Sequence, residues 1–162
     1  MLDAPESRYG LADPKAAAAL TGREFLQAIM RGELPAPPMA KTLDFSLVEV
    51  GDGTAVFEGE PSEAFLNPMG SVHGGWALTL VDSATGCAGM SLLPPGAAYT
   101  TIETKVNFSR PIAMDAGRVR AEARVVSRGR RILSTEARVT DAKGRVLAHG
   151  TSTLMVLNED AA

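Results

Sequence analysis

The sequence predicts an α+β domain whose sheet is mainly antiparallel, and three observations lead to this fold class. An apolar run of helical length ends at Met90, and from Trp76 to Leu80 it is apolar on every side except at Thr79. Such a helix belongs inside a protein. Two alternating segments precede the run, and four follow it. Because one helix cannot cover both faces of a six-stranded sheet, the favoured architecture is an antiparallel sheet curled around the helix.

The chain divides into three predicted segments: an N-terminal helical arm over residues 1–40, a main domain over residues 41–157 and a C-terminal tail over residues 158–162. In the arm, Thr21–Glu24 has the capping-box pattern that marks a helix start. A short helix is expected near Lys15–Leu20, and prolines after the second helix are expected to form a rigid connector. No residue of the arm carries a chemical motif.

Alternation of apolar and polar residues predicts the strands of the sheet. The first strand begins its alternation at Leu43 and forms a hairpin with the second through the turn Gly51–Gly53. Four strands follow the helix: Thr100–Phe108, Arg118–Val126, Arg131–Thr140 and Val146–Leu157. In the first of these four, Ile102 and Val106 are expected on one face and Thr101 on the other.

Composition and charge exclude several classes of protein. The chain of 162 residues has a formal net charge of −3, with 45% hydrophobic and 22% charged residues. These values are typical of a globular domain and argue against a general nucleic-acid binder. No secretory leader or membrane-length apolar run is found, so a cytoplasmic location without membrane association is expected. One cysteine and two histidines predict no disulfide, no metal site and no cofactor, and Cys87 is interpreted as a small apolar side chain.

The apolar run contains one acid, Asp82, and no other Asp, Glu, Lys or Arg occurs between Glu63 and Glu103. Burying a carboxylate without a partner is costly, and an ionisable group in an apolar setting is a candidate for catalysis. Asp82 is therefore the first candidate catalytic residue. The alternative is a core acid that is hydrogen-bonded to backbone or to a hydroxyl such as Thr79 or Ser83.

Two glycines, Gly74 and Gly75, follow His73 at the start of the helix and have no side chains to cover the backbone N–H groups of its first turn. Free first-turn donors and the helix dipole favour a negative oxygen. Both glycines are therefore predicted to bind the substrate. The alternatives are glycines that serve close helix packing and a His73 imidazole that satisfies local polar groups.

The pattern Asn67-x-x-Gly-x-x-His-Gly-Gly, followed seven residues after its last glycine by Asp82, resembles the hot-dog-fold acyl-CoA thioesterases. The most similar branch includes the phenylacetate-pathway thioesterases. The resemblance extends through Thr101–Pro111 to the turn at Gly144 and the final strand, and so covers residues 40–157. It implies the hot-dog fold, in which an antiparallel sheet wraps around one long central helix.

The resemblance also implies an activity and roles for the site residues. The activity is hydrolysis of an acyl- or aryl-acyl-CoA thioester to the free acid and coenzyme A. Asp82 matches the catalytic carboxylate, which acts as general base or as nucleophile. Gly74 matches the position whose N–H holds the thioester oxygen. Asn67, His73 and Thr101 match positions that line or orient the site, and His73 is the second candidate for the general base.

Coenzyme A carries phosphates, and a chain of net negative charge needs local positive charge to bind them. The candidates are the arginines of one hairpin loop, Arg128, Arg130 and Arg131, with Arg110 or Lys105 as additional cations. Arginine suits phosphate because its guanidinium can form two parallel hydrogen bonds. The alternative is a basic turn that is merely exposed to solvent.

The spacing of Gly74 and Asp82 predicts a shared site. Eight residues of one helix separate them, which is about 12 Å at roughly 1.5 Å per residue, so one thioester carbon cannot contact both. If both act on one carbon, they belong to different chains, with two central helices side by side across a twofold axis. The resemblance implies the same arrangement, as a homodimer or as a homotetramer built from two dimers.

Three other functions are kept as alternatives. A hot-dog dehydratase that acts on a hydroxyacyl thioester usually pairs His with an acid in a different motif, so the spacing of His73 and Asp82 argues against it. A non-catalytic acyl-CoA sensor would normally carry a DNA-reading segment, and residues 1–40 show no basic helix-turn-helix pattern. An interaction module with a vestigial site is distinguished by an activity assay.

Overall fold

The computed structural model describes residues 8–157, so the first seven residues of the predicted arm and the predicted tail lie outside the described part. The sheet has six strands: β1 (Phe45–Gly51), β2 (Thr54–Gly59), β3 (Ala98–Phe108), β4 (Val119–Arg128), β5 (Ile132–Thr140) and β6 (Val146–Leu157). They pair antiparallel throughout, in the order β1-β2-β4-β5-β6-β3. The strands β1 and β3 are therefore the two edges of the sheet.

Four α-helices accompany the sheet: α1 (Pro14–Ala18), α2 (Gly22–Met30), α3 (Pro38–Thr42) and α4 (Gly74–Met90). Helix α4 contacts all six strands, so the sheet wraps around it, and the predicted fold class is confirmed. The hot-dog architecture that the resemblance implies is the one observed. No helix among residues 8–157 combines the length and the apolarity that a membrane span requires.

The core lies between α4 and the inner face of the sheet. Leu80 and Val81 on α4 are completely buried, and burial of such a side chain contributes about 1.5–3 kcal/mol to stability. Small side chains of β4 and β5 belong to the same core: Ala121, Ala123 and Ala137. Because these alanines take little volume, they allow α4 to pack closely against β4 and β5.

Helix α2 fixes the arm to the end of α4. Thr21 and Glu24 exchange side-chain and backbone hydrogen bonds, so the predicted capping box is confirmed. The first helical residue, Gly22, donates its N–H to the Leu93 carbonyl at 3.0 Å. A Cβ at Gly22 would overlap the Met90 carbonyl, so only glycine allows the arm to approach α4 this closely.

Two predictions near the arm are wrong. Pro38 opens the short helix α3 instead of continuing a rigid connector, because proline is tolerated at the first helical position. Leu43 is the C-cap of α3, and β1 therefore begins at Phe45. The apolar alternation that starts at Leu43 spans a helix end and a strand, which periodicity alone does not separate.

A bulge in β3 changes which side chains face the core. The register with β6 shifts between Thr101 and Glu103, and one extra residue moves the following side chains to the opposite face. Thr101 is half-buried before the bulge, Ile102 is 55% exposed, and Thr104 and Val106 are half-buried after it. The prediction that Ile102 shares the face of Val106, with Thr101 opposite, is therefore wrong.

Candidate active site

Asn67 organises the loop that leads to α4. Its Oδ1 accepts hydrogen bonds from the N–H groups of Met69 and Ser71, at 2.9 and 3.2 Å. Its Nδ2 donates to the Ser71 hydroxyl at 2.8 Å. Such local side-chain to backbone bonds fix a turn. Since an amide nitrogen has two donor hydrogens, one hydrogen of Asn67 Nδ2 is left for another acceptor.

His73 caps α4. Its backbone is extended, with φ −64° and ψ 132°, and its Nδ1 accepts a hydrogen bond from the Gly75 N–H at 2.9 Å. The imidazole therefore occupies one first-turn donor, and the expectation of an uncovered first turn is wrong for Gly75. A neutral imidazole that accepts at Nδ1 carries its proton on Nε2. In this arrangement His73 presents a donor to its surroundings, which does not suit a general base.

Gly74 keeps its N–H free. It is the first residue of α4, and its N–H has no acceptor among residues 8–157. An added Cβ at Gly74 would lie 2.9 Å from the Phe108 ring. Both residues line a surface groove of about 520 Å³ that also contains Arg110, whose guanidinium donates to the Val146 carbonyl at 2.8 Å. The groove combines a free N–H at the positive end of a helix with a cation, which favours an anionic group.

Asp82 lies near the middle of α4, and its side chain is half-buried. Its Oδ1 accepts a hydrogen bond from the Thr104 hydroxyl at 3.0 Å, whereas Oδ2 has no hydrogen-bond partner among residues 8–157. The Thr79 hydroxyl donates to the Gly75 carbonyl at 2.9 Å and does not bond Asp82. Asp82 thus combines one anchored oxygen with one that is open to water or substrate.

Three hydroxyl groups form a chain that ends at Asp82. Thr104 Oγ1 lies 3.0 Å from Ser152 Oγ, which lies 2.7 Å from Thr85 Oγ1. Because Thr104 donates its one proton to the carboxylate, the whole chain is satisfied only if Ser152 donates to Thr104 and Thr85 donates to Ser152. Thr85 then does not donate to its two backbone acceptors, the Val81 carbonyl at 2.8 Å and the Asp82 carbonyl at 3.1 Å. In that arrangement all three hydroxyl dipoles would point toward Asp82 and strengthen the final bond. The Thr104 hydroxyl, which donates to Oδ1, is the group that orients the carboxylate.

Two further titratable groups sense the charge of Asp82. Burial, followed by that charge, raises the pKa of the Cys87 thiol to about 12. Burial is also the main reason that the pKa of the Tyr99 phenol is raised, with smaller contributions from Cys87 and Asp82. Both groups are protonated at neutral pH, so neither supplies a thiolate nucleophile or a phenolate base. The raised pKa agrees with the interpretation of Cys87 as an apolar side chain.

Thr101 is not the hydroxyl that contacts the acid. Although half-buried, its side chain forms no hydrogen bond with Asp82, and Thr104 takes that place. The two residues lie on either side of the β3 bulge, which turns both toward the inner face. Thr101 therefore remains a candidate for lining the site, while Thr104 positions the carboxylate.

The predicted phosphate-binding arginines are exposed in the hairpin between β4 and β5: Arg128, Arg130 and Arg131. The end of this hairpin, at Ile132, pairs with Met155 of β6. Met155 lies three residues beyond Ser152, so the hairpin is about 10 Å from Ser152 along the strand, at roughly 3.3 Å per residue. Gly74 lies on the other side of Asp82, against Phe108 at the opposite end of β3. Within one chain, the structure does not bring the arginines to Gly74.

Sequence reasoning did not identify the three residues whose hydroxyl groups lead to Asp82: Thr104, Ser152 and Thr85. Thr85 had a detectable signal, because residues three apart in a helix are neighbours and Asp82 precedes it by three. Thr104 and Ser152 are 22 and 70 residues from Asp82 along the chain, and they reach it through strand pairing. No local pattern marks either one.

The chain is similar to known enzymes across the segment that contains this site. The family model of the thioesterase superfamily matches residues 69–148. The matched segment begins in the loop of Asn67 and includes all of α4 and β3. It therefore contains the free N–H of Gly74, the Asp82 carboxylate and the Thr104 hydroxyl.

Solved structures with similar folds cover most of the chain. A phenylacetic acid degradation-related protein of Ralstonia eutropha JMP134, assigned as a thioesterase, is 30% identical, with a TM-score of 0.73 over 80% of this chain and 98% of that chain. A thioesterase family protein of Silicibacter pomeroyi is 31% identical, with a TM-score of 0.72 over 82% of this chain and 98% of that chain. A 1,4-dihydroxy-2-naphthoyl-CoA hydrolase of Listeria monocytogenes is 25% identical over 118 residues, which are 73% of this chain and 94% of the relative.

Proposed function

The chain belongs to the thioesterase superfamily and is a thioester hydrolase, and from this premise we propose that it hydrolyses an acyl-CoA thioester to a carboxylic acid and coenzyme A. The observation that carries the proposal is the environment of Asp82, the one charged residue of α4. The Thr104 hydroxyl orients its Oδ1, and its Oδ2 stays open. That is the arrangement a general base or a nucleophile needs.

In the proposed reaction, Asp82 takes a proton from a water molecule as the water oxygen attacks the thioester carbon. The carbonyl oxygen becomes negative and accepts a hydrogen bond from the Gly74 N–H. Collapse of the tetrahedral intermediate breaks the C–S bond, and the proton on Asp82 is transferred to the departing thiolate. In the alternative route, Asp82 attacks the carbon itself and forms an anhydride, which water then hydrolyses.

We place each active site between two chains. Gly74 and Asp82 lie on one helix, about 12 Å apart. Leu78 lies midway between them on the same side of α4 and is 38% exposed. Two antiparallel α4 helices related by a twofold axis at Leu78 would bring each Gly74 beside the Asp82 of the other chain. The same contact would remove both Leu78 side chains from water.

The edge strand β3 supports this dimer. An unpaired edge strand with apolar side chains is a template for another chain, and β3 exposes Ile102 and Phe108, 55% and 56% of each. The same strand supplies Thr104 to the Asp82 site. Antiparallel pairing of two β3 strands would continue the sheet across the twofold axis and place the pairing contact next to both sites.

The twofold arrangement also brings the arginines of the hairpin close to Arg110 of the other chain. In one chain, the hairpin that carries Arg130 lies beyond Asp82, and the groove with Arg110 lies beyond Gly74 in the opposite direction. When the helices are antiparallel, Asp82 of one chain lies beside Gly74 of the other, so the hairpin and the partner groove flank one mouth. We propose that the phosphates of coenzyme A bind at this mouth.

The proposed function is tested by spectrophotometric detection of the released thiol. The purified protein is offered short-chain, long-chain and aryl-acyl-CoA thioesters, the last because relatives are named for phenylacetic acid degradation and for naphthoyl-CoA hydrolysis. Thiol release that saturates with substrate supports the proposal. Formation of an enoyl thioester from a hydroxyacyl-CoA without thiol release would assign the site to a dehydratase. Binding without any reaction would assign it to an acyl-CoA-binding protein.

Replacing Arg128, Arg130 and Arg131 by Ala is expected to raise KM for the best acyl-CoA about 10-fold, with kcat little changed. Contacts to phosphates are made equally in ground state and transition state, so their loss affects KM, and each exposed charge contact is worth about 0.2–1 kcal/mol. The salt dependence of KM should also weaken. Arg23→Ala, at an exposed arginine of α2, is the control. An unchanged KM at low salt would show that the hairpin is a solvent-exposed turn that does not bind the phosphates.

Thr104→Val is expected to lower kcat by about 10-fold or more, since a hydrogen bond to a charged group is worth about 1.5–3 kcal/mol. Valine matches threonine in shape, so the loss would come from the missing hydroxyl. Thr104→Ser should restore most of the activity. Thr101→Val is the matched comparison in the same strand, with a smaller expected loss because Thr101 does not bond Asp82. The reverse order of the two losses would make Thr101 the positioning residue.

A further inference from the structure

A cavity, distinct from the groove at Gly74, lies between the arm and the main domain. Its volume is about 290 Å³. The arm contributes Tyr9, Phe25 and Ile29 to its lining, and the main domain contributes Phe57 and Cys87. A concave site with a mostly apolar lining favours a ligand with an apolar body.

This cavity is separate from the candidate active site. At 3.6 residues per turn, Cys87 points about 140° away from Asp82 and about 180° away from Leu78 around α4. The proposed dimer face and the cavity therefore lie on different sides of the helix. The groove that contains Gly74 shares no lining residue with the cavity among residues 8–157.

The volume limits the size of the ligand. An apolar cavity of roughly 150 Å³ holds one benzene molecule. The cavity described above has about 290 Å³, so it accommodates an apolar group about twice as large. A chain of roughly eight to ten carbons or a pair of fused rings has this size.

One cation lies at the cavity. Arg8 is exposed, and it is the only charged residue among the described residues that line the cavity. Its backbone position is set by the Ala36 N–H, which donates to the Arg8 carbonyl at 2.8 Å, and by the Gly10 N–H, which donates to the Ala36 carbonyl at 2.9 Å. A guanidinium beside an apolar cavity is complementary to an amphiphile with one negative head, and its geometry matches a carboxylate.

We propose that this cavity binds a medium-sized carboxylic acid, whose apolar body fills the cavity and whose carboxylate pairs with Arg8. The choice of a carboxylate over other anions rests on the proposed function, because thioester hydrolysis releases a free carboxylic acid. The cavity itself is independent of that reaction. Binding can therefore be measured without turnover, and the two proposals fail separately.

The test is isothermal titration calorimetry of the full chain with decanoate, decyl sulfate and the neutral decanol. Saturable decanoate binding with one site per chain is expected. Ile29→Trp should weaken it at least about tenfold, because the indole occupies the cavity and overfilling is costly. Met39→Trp, at an exposed position outside the lining, is the control for the added bulk and should bind as the wild type does.

Arg8→Gln should weaken decanoate about 2- to 5-fold, the scale of one exposed ion pair, and leave decanol unchanged. Arg23→Gln is the charge control. Phe25→Trp, at a second lining residue of the arm, should weaken decanoate in the same way, which keeps the proposal testable even if Ile29→Trp fails to fold. Three results would overturn the proposal: no saturable binding, binding that a folded Trp variant at Ile29 or Phe25 does not weaken, or tighter binding of decyl sulfate than of decanoate. Decanoate binding that is seen only after removal of residues 1–7 would indicate that the chain's own N-terminus occupies the cavity, and this result would also overturn the proposal.

Discussion

Replacing Asp82 by Asn is expected to lower kcat by at least about 100-fold, the usual scale for loss of a general base. The amide has the size of the carboxylate, and its oxygen can still accept the Thr104 hydroxyl, which now bonds Asp82 at 3.0 Å. The hydroxyl chain and the packing of α4 are therefore retained. The amide cannot take a proton from water at neutral pH, nor can it form an anhydride, so both proposed routes are lost.

Three measurements separate catalysis from structure in this variant. Thiol release gives kcat, calorimetry gives the affinity for coenzyme A, and thermal unfolding gives the stability. Only kcat should change. Asp115→Asn, the same chemical change at an exposed position, is the control. Retention of most of the turnover would show that Asp82 is not catalytic, and loss of the fold would support its role as a hydrogen-bonded core acid.

The second large effect is expected from mixed dimers of Gly74→Pro and Asp82→Ala. Proline deletes the Gly74 N–H but is tolerated at the first helical position, and the preceding residue His73 already has the extended backbone that a following proline requires. Loss of an oxyanion donor costs about 100- to 1,000-fold in rate. Each homodimer should therefore be inactive, since every site carries one lesion.

In the mixed dimer, a site shared between chains behaves differently from a site within one chain. If each site takes Gly74 from one chain and Asp82 from the other, one site carries both lesions and the other carries neither. About half of the wild-type activity per dimer should then return. If each site lay within one chain, both sites would keep one lesion and no activity would return.

The experiment uses two affinity tags to isolate the heterodimer after co-refolding of the two variants. Thiol release is then compared with that of each homodimer. Gly74→Ala is the matched control for the proline, because its Cβ meets the same Phe108 ring at 2.9 Å while the N–H is kept. This control should stay active. A verified heterodimer without recovered activity would rule out the shared site.

Much of the fold follows from local patterns. The long apolar run predicts α4, and alternation with turn residues predicts the six strands, because helix and strand periods are written into consecutive residues. The capping box at Thr21–Glu24 is equally local and is found in the structure. Local patterns fail where two elements adjoin, as at Leu43, where an alternating apolar residue ends α3 instead of opening β1.

In the candidate site, too, some features can be predicted from local sequence patterns and others cannot. Gly74 and Asp82 are visible in the sequence because each contrasts with its neighbours: a residue without a side chain at a helix start, and a lone acid in an apolar helix. The capping of Gly75 by His73 is also short-range. However, it depends on the rotamer of His73, which the residue pattern does not specify.

The sequence by itself determined the central helix, its lone acid and the number of strands around it, because these depend on residues that are close along the chain. Tertiary structure alone decided which hydroxyl groups reach Asp82. Thr104 faces the acid because a bulge at Ile102 turns the strand over, and Ser152 faces it because β6 pairs with β3 in one register. A shift of one residue in either strand would turn these side chains to the outer face, and that register is set by packing across the whole sheet.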